Sequence, residues 1–351
     1  MTQHRPEFRF TRPGALIAAL PAALGFVPEK SLVLVTLEHG RIGAVMRADL
    51  SCDLPGNLDR LAEIAANSGA ENVVAVIVDA DGALCPMCDD DHRRLCDTLA
   101  AELGERSVAL YGAHVVDRVE PGGRWRCVDG CGARGAVEDP SASPLAVAAV
   151  LDGRRLYGSR ADLQAVIAVG DPERAATLIG PIRAEAEARR TEWQADPDGR
   201  GRRDVETAIA VALRVLDGTA PSEDELPALA CSLSDIAVRD TLYALAVGAH
   251  AAAAEALWAL LARTLPDPWR LEALVLLAFS AYARGDGPLA GISLEAALRS
   301  DPDHRMAGML DTALQSGMRP EQIRELASTG YRLARRLGVQ LPTRRVSGWA
   351  V

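Results

Sequence analysis

A chain of 351 residues, 49% apolar and 25% charged, is long enough for two ordinary domains, each with its own core. Its formal net charge of −10 argues against a broad contact with nucleic acid or a membrane surface, both of which are anionic. No segment reaches the ~20 apolar residues needed to span a bilayer.

The opening MTQHRPEFRF lacks the basic start and apolar run of a secretion signal, so a cytoplasmic protein is expected. In that compartment the seven cysteines read as thiols or metal ligands rather than disulfides. Of the 38 basic residues only Lys30 is lysine. Arg332, Arg335, Arg336, Arg344 and Arg345 cluster near the end, and the plain reading of them is a solvated helix face and tail.

In chain order, residues 12–26 predict an opening helix that Pro21 kinks or splits. Residues 31–50 predict two strands turning at His39-Gly40. A helix over 56–69 leads to the strand 73–80, whose unbroken apolar run suits burial on both faces. A helix over 90–103, a strand over 108–116 and a short strand around Trp125 follow. This order implies a mixed sheet with helices on at least one face, and strands ending before about residue 130.

Beyond Tyr157 the periodicity is helical, over 159–169, 171–194, 203–216 and then 234–338, with the polar stretch 194–204 read as an exposed loop. From Leu271 a unit of about 34 residues carries small residues at Ala278, Ala281 and Ala290, a turn at Gly285 and a closing Pro302. It resembles a tetratricopeptide helical hairpin. A partial copy precedes it, and a third hairpin turns at Gly317–Pro320. The expectation is therefore an α/β domain with a mixed sheet over 1–158 and an all-α, helical-hairpin domain over 159–340. Residues 341–351 are left as a tail whose order the sequence leaves open.

Two short-spaced cysteine pairs, Cys85/Cys88 and Cys127/Cys131, each follow a strand. Together they could give four thiolates to one structural zinc, with His92 and Cys96 as substitutes. The alternatives are a redox-active Cys-x-x-Cys and cysteines packed as small hydrophobes. Cys52 and Cys231 read as packing residues. No phosphate loop, dinucleotide fingerprint, zinc-protease helix or nucleophile elbow is present, so no catalytic residue is assigned. Asp79 and Asp81 stand at the end of a strand, where α/β proteins often bind ligands. His114 lies inside a strand and reads as a packing residue.

Residues 13–35, with Leu24-Gly25-Phe26-Val27-Pro28 and then Ser31-Leu32-Val33, resemble the opening of an actinobacterial family described as domain of unknown function 4192. The resemblance continues through Trp125–Cys131, Ser143-Pro144, Ser159-Arg160, Gly285-Asp286-Gly287, Asp301-Pro302-Asp303-His304 and the Gly317–Pro320 turn. Two departures stand out: the family usually has adjacent cysteines and prolines after its tryptophan, where this chain has Cys131-Gly132, and Cys85/Cys88 is no family hallmark. The resemblance implies a whole-chain fold and no activity.

The leading expectation is a non-enzymatic binding or scaffold protein whose helical hairpins take a protein partner, with Trp258 and Tyr282 as candidate anchors. The second is an enzyme with its site at the strand ends of the α/β domain, around Asp79, Asp81 and the cysteine loops. A nucleic-acid contact through the terminal arginines is a third. The oligomeric state is not fixed by the sequence.

Overall fold

The computed structural model describes residues 12–38, 41–151 and 154–342. The His39-Gly40 turn, the opening stretch 1–11 and the tail from residue 343, with Arg344 and Arg345, lie outside the described residues. The chain divides into two compact units, one from residues up to Leu163 with Gln315–Gly317, the other from Gln164–Leu314 with residues from Met318 on.

The first unit is built on a mixed six-stranded sheet in the order β2-β1-β3-β4-β5-β6. The strands are β1 (Ser31–Glu38), β2 (Arg41–Asp49), β3 (Asn72–Val78), β4 (Ala109–Val116), β5 (Arg124–Cys127) and β6 (Arg134–Ala136). β3 and β4 are parallel and every other pairing is antiparallel. Its helices are α1 (Pro13–Leu24), α2 (Leu58–Asn67), α3 (Pro86–Gly104) and α4 (Pro144–Leu151).

Side chains alternate across a strand, so each central strand feeds two cores. Leu32, Leu34, Val73, Ala75, Ile77, Ala113, Val115 and Val128 pack with Leu58, Ala62 and Ala65 of α2 and Leu99 and Leu103 of α3. The intervening Val33, Val35, Val74, Val76, Val78 and Val116 are buried too, which is why β1 and β3 read as continuous apolar runs. On that second face α1 approaches β5 and β6: a Cβ built on Gly14 would lie 2.4 Å from the Ala136 carbonyl oxygen and 3.2 Å from Trp125 Nε1.

Four sequence expectations shift. α1 runs unbroken through Pro21, since nearly its whole circumference is buried and packing outweighs one lost hydrogen bond. α3 begins at Pro86 rather than near residue 90, because proline suits the first helical position; Cys88 is therefore helical, not in a loop. A sixth strand, β6, pairs with β5 past residue 130, where its three exposed residues give no alternation to read. The supposed loop at 194–204 is mostly helix. Pro197 takes its first position, and the Asp196 carboxylate accepts a hydrogen bond from Gly199 N–H as its cap.

α5 (Arg160–Ala165), α6 (Pro172–Thr177), α7 (Ile179–Ala195), α8 (Pro197–Leu216), α9 (Glu225–Ser234) and α10 (Ile236–Leu242) follow. α11 (Ala251–Thr264), α12 (Arg270–Arg284), α13 (Gly287–Ser300), α14 (Arg305–Gln315) and α15 (Pro320–Leu337) complete the chain. Among the described residues no strand follows β6, and Phe26 and Tyr157 form an isolated bridge. α12 is buried at every position from Ala273 to Ala283 and forms the axis of the helical unit. It turns into α13 at Gly285, whose φ of 89° closes the helix, and Asp286 caps the next by accepting from Leu289 N–H. Polar support lies between α7, α8 and α9, where the buried Arg189 guanidinium donates to Asp204 and Ser232 at 3.2 and 3.1 Å.

α15 crosses the 3-10 turn Tyr243–Val247 at Gly330, where a Cβ would stand 2.8 Å from the Thr241 carbonyl oxygen and 2.9 Å from Ala244 N and Cβ. These are largely backbone atoms and cannot rotate aside. Gly330→Ala should therefore cost about 1–3 kcal/mol by overpacking, in spite of alanine's better helix propensity. Thermal unfolding followed by circular dichroism measures it, and an unchanged midpoint would contradict this crossing.

Candidate functional site

The register of β5 decides which side of the sheet each of its residues faces. Val115 faces Arg126 and His114 faces Cys127, so Arg126 and Cys127 project to opposite sides of the sheet. Arg126 lies on the α3 side. Its Nε donates to the Ala83 carbonyl at 3.0 Å and its guanidinium pairs with Asp89. Cys127 lies on the other side with Trp125 and His114, whose rings meet edge to face with centroids 5.3 Å apart.

Past Cys127 the chain turns through Val128-Asp129-Gly130-Cys131. Gly130 adopts φ 80° and the Asp129 carboxylate accepts from Cys131 N–H at 3.0 Å. The turn folds both sulfurs onto one carboxylate. Donor atoms of Cys127, Asp129 and Cys131 all lie within 4.8 Å of one another, an arrangement that can hold a metal ion. The thiols of Cys127 and Cys131 and the Cys131 amide favour the ionised carboxyl of Asp129, with Cys127 foremost, and hold its pKa at about 2. Burial, then the contact with Asp129, pushes the Cys127 thiol up to about 12.

His114 adjoins this turn on the same sheet face. It is 9% exposed, and its Nδ1 is buried without a hydrogen-bond partner. The ring's Nε2 leans over Gly112, 3.5 Å from the position a Cβ would take there. The packing role expected for His114 thus accounts for its contact with Trp125 but not for its free nitrogen.

Of the four cysteines expected to share one zinc, the fold brings Cys127 together with Cys131 and Cys85 together with Cys88. Among the described residues the gathered donor group holds Cys127, Asp129 and Cys131, without Cys85 or Cys88. The proposed substitutes are occupied: Cys96 sits in the core beneath the sheet, and His92 Nε2 pairs with Asp79 Oδ2 at 3.2 Å. Asp129 was missed because an Asp-Gly pair between two strands reads as a turn; its place between two cysteines was the available signal. Cys52 is exposed rather than packed, and Cys231 is half-buried with its sulfur 3.5 Å from the Ile182 carbonyl. In the helical unit Trp258 and Tyr282 are 1% and 3% exposed, the latter donating to the Met318 carbonyl at 2.8 Å, so neither can anchor a partner.

The fold and site define a protein with a mixed α/β sheet unit, bearing a cysteine-rich turn, followed by a unit of stacked helices. Residues 13–321 match the model of the family described as domain of unknown function (DUF4192), and the chain belongs to that family. Neither the comparison with curated proteins nor that with solved structures gives a match. No helix among the described residues is long and apolar enough to cross a membrane.

Burial pushes the Cys96 thiol up to about 12, leaving almost no thiolate at pH 8. In the native chain Cys52 and Cys131, both exposed, should react with N-ethylmaleimide long before Cys96, which should label only on unfolding. Peptide mapping by mass spectrometry checks the order, and early labelling of Cys96 would contradict its place in the core.

Proposed function

We propose that this chain works by binding, and that the α/β unit binds a thiophilic divalent metal, zinc by preference, at the Cys127–Cys131 turn. The reading is carried by the clustering of two sulfurs and a carboxylate oxygen within 4.8 Å. Tetrahedral zinc asks for ligand atoms roughly 3.3–3.8 Å apart, so small side-chain rotations close the group. His114 is the fourth ligand in this reading. Its imidazole stands outside the 4.8 Å group, and turning it toward Cys127 would give the free nitrogen a partner.

Two thiolates, a carboxylate and an imidazole fill a tetrahedron and leave no position for water. The metal's role is then to tie the β5–β6 turn to β4, in a site assembled from one strand and one turn rather than from two cysteine loops.

Titration of chelator-stripped chain with zinc should saturate at about one ion per chain, and cobalt should give the thiolate-to-metal absorption of a tetrahedral site. Cys131→Ser should weaken zinc at least ~10-fold, and His114→Ala by about 10–100-fold, in line with groups that complete or orient a metal shell. Cys85→Ser with Cys88→Ser should leave affinity unchanged. Loss of zinc in that double variant would instead restore a shared four-cysteine site, and no zinc uptake by the unaltered chain would end the proposal.

A further inference from the structure

The other cysteine pair lies in a different chemical setting. β3 and β4 are parallel and α3 joins them, so Cys85-Pro86-Met87-Cys88 opens the helix of a strand–helix–strand unit. Cys85 precedes the first helical residue with extended backbone, φ −91° and ψ 119°, and Pro86 starts the helix. This places Cys85 at the N-cap of α3, without a side-chain capping hydrogen bond, and Cys88 one turn inside the helix. The Cys88 amide foremost, then the Cys88 thiol and the Met87 amide, favour the Cys85 thiolate and hold its pKa below the ordinary thiol value. Cys88 moves the other way, raised by its bond to Cys85, by burial and by the charges of Cys85, Asp79 and Asp91.

A part-buried acid–base pair adjoins Cys88. A Cβ built on Gly82 would lie 2.0 Å from Asp79 Oδ2 and 3.3 Å from Cys88 Cβ, so the carboxylate and the cysteine close on the same glycine. The same Oδ2 meets His92 Nε2 at 3.2 Å, one helical turn beyond Cys88. His92 is 6% exposed, and its Nδ1 is buried with no partner. With Nε2–H donating to Asp79, Nδ1 is a bare lone pair in the interior, which costs stability unless it serves as a proton acceptor. On the outside, Leu84 and Met87 are 72% and 81% exposed beside the cysteines and offer an apolar rim.

We propose that Cys85 and Cys88 form a thiol–disulfide exchange site for a peptide-borne disulfide with apolar neighbours, with Asp79 and His92 taking the proton of the resolving thiol. The Cys85 thiolate attacks one sulfur of the substrate disulfide. A Cys85–substrate disulfide forms, and the other substrate sulfur leaves as a thiolate that takes a proton from water. Cys88 then gives its proton to the Asp79–His92 pair and attacks the Cys85 sulfur. A Cys85–Cys88 disulfide forms and the second substrate thiolate leaves. The chain is oxidised by two electrons, the substrate is reduced to two thiols, and a small thiol reductant restores the dithiol. Cys85 is the catalytic nucleophile, Leu84 and Met87 receive the apolar flank, and the metal turn takes no part.

Insulin reduction by dithiothreitol, run with the full-length chain and followed by turbidity, tests the activity. The unaltered chain should accelerate it, and Cys85→Ser should return the rate to that of the reductant alone. With oxidised glutathione, Cys88→Ser should accumulate a glutathione adduct on Cys85. Asp79→Asn should leave adduct formation intact and slow its resolution by about 10-fold or more, a split that a merely structural carboxylate would not give. As a check that depends on no variant, peptide mapping of the unaltered chain after oxidised glutathione should find a Cys85–Cys88 disulfide. No acceleration by the unaltered chain, no such disulfide, or no adduct on Cys85 in Cys88→Ser would each overturn the proposal.

Discussion

Everything in the α/β unit depends on β3 and β4 lying side by side in parallel, with both faces covered along β3 and along the second half of β4, Ala113–Val116. Burial on two sides favours apolar residues, and β3 meets that demand from Val73 to Val78. It also turns neighbouring residues at the sheet's margin into occupants of two separate environments. Arg126 and Cys127 are adjacent in sequence, yet one serves the start of α3 and the other the α1 side. The parallel pairing requires a long crossover, and α3, as that crossover, brings Cys85 and Cys88 to the carboxyl end of β3.

The helical unit solves a different problem, how to bury a helix entirely. α12 does so with alanine and serine among its larger residues, and the neighbouring helices close on it from several sides. Close approach leaves little space for error, as the backbone contacts around Gly330 illustrate. The buried Arg189–Asp204 pair adds orientation more than net stability, because desolvation offsets much of its attraction.

The large elements were legible in the sequence because their signals are physical and local. Alternation at Val33, Val35 and Leu37, the apolar run of β3 and the helical spacing after Leu271 each follow from one buried face or two. Element ends were less legible, since a proline can break a helix or begin one. Pro86 and Pro197 begin theirs, and each moves a boundary across residues that otherwise look like loop. The candidate sites were half legible. Short cysteine spacing identified both pairs, but which face each pair occupies depends on strand register, which no local pattern in a four-residue strand fixes. The free nitrogens of His92 and His114 emerge only once the packing around each ring is known.

The near absence of lysine has a practical corollary. Lys30 sits at the entrance to β1 in a left-handed conformation, φ 40°, with its ammonium 3.1 Å from Asp81 and both side chains largely in solvent. Apart from the chain's own amino terminus it is the single primary amine available. Amine-directed chemistry thus offers near-unique attachment of a fluorophore or a crosslinker. That attachment point faces the loop running from Asp79 to Cys85, so a reporter placed there looks directly onto the segment that carries the first cysteine pair.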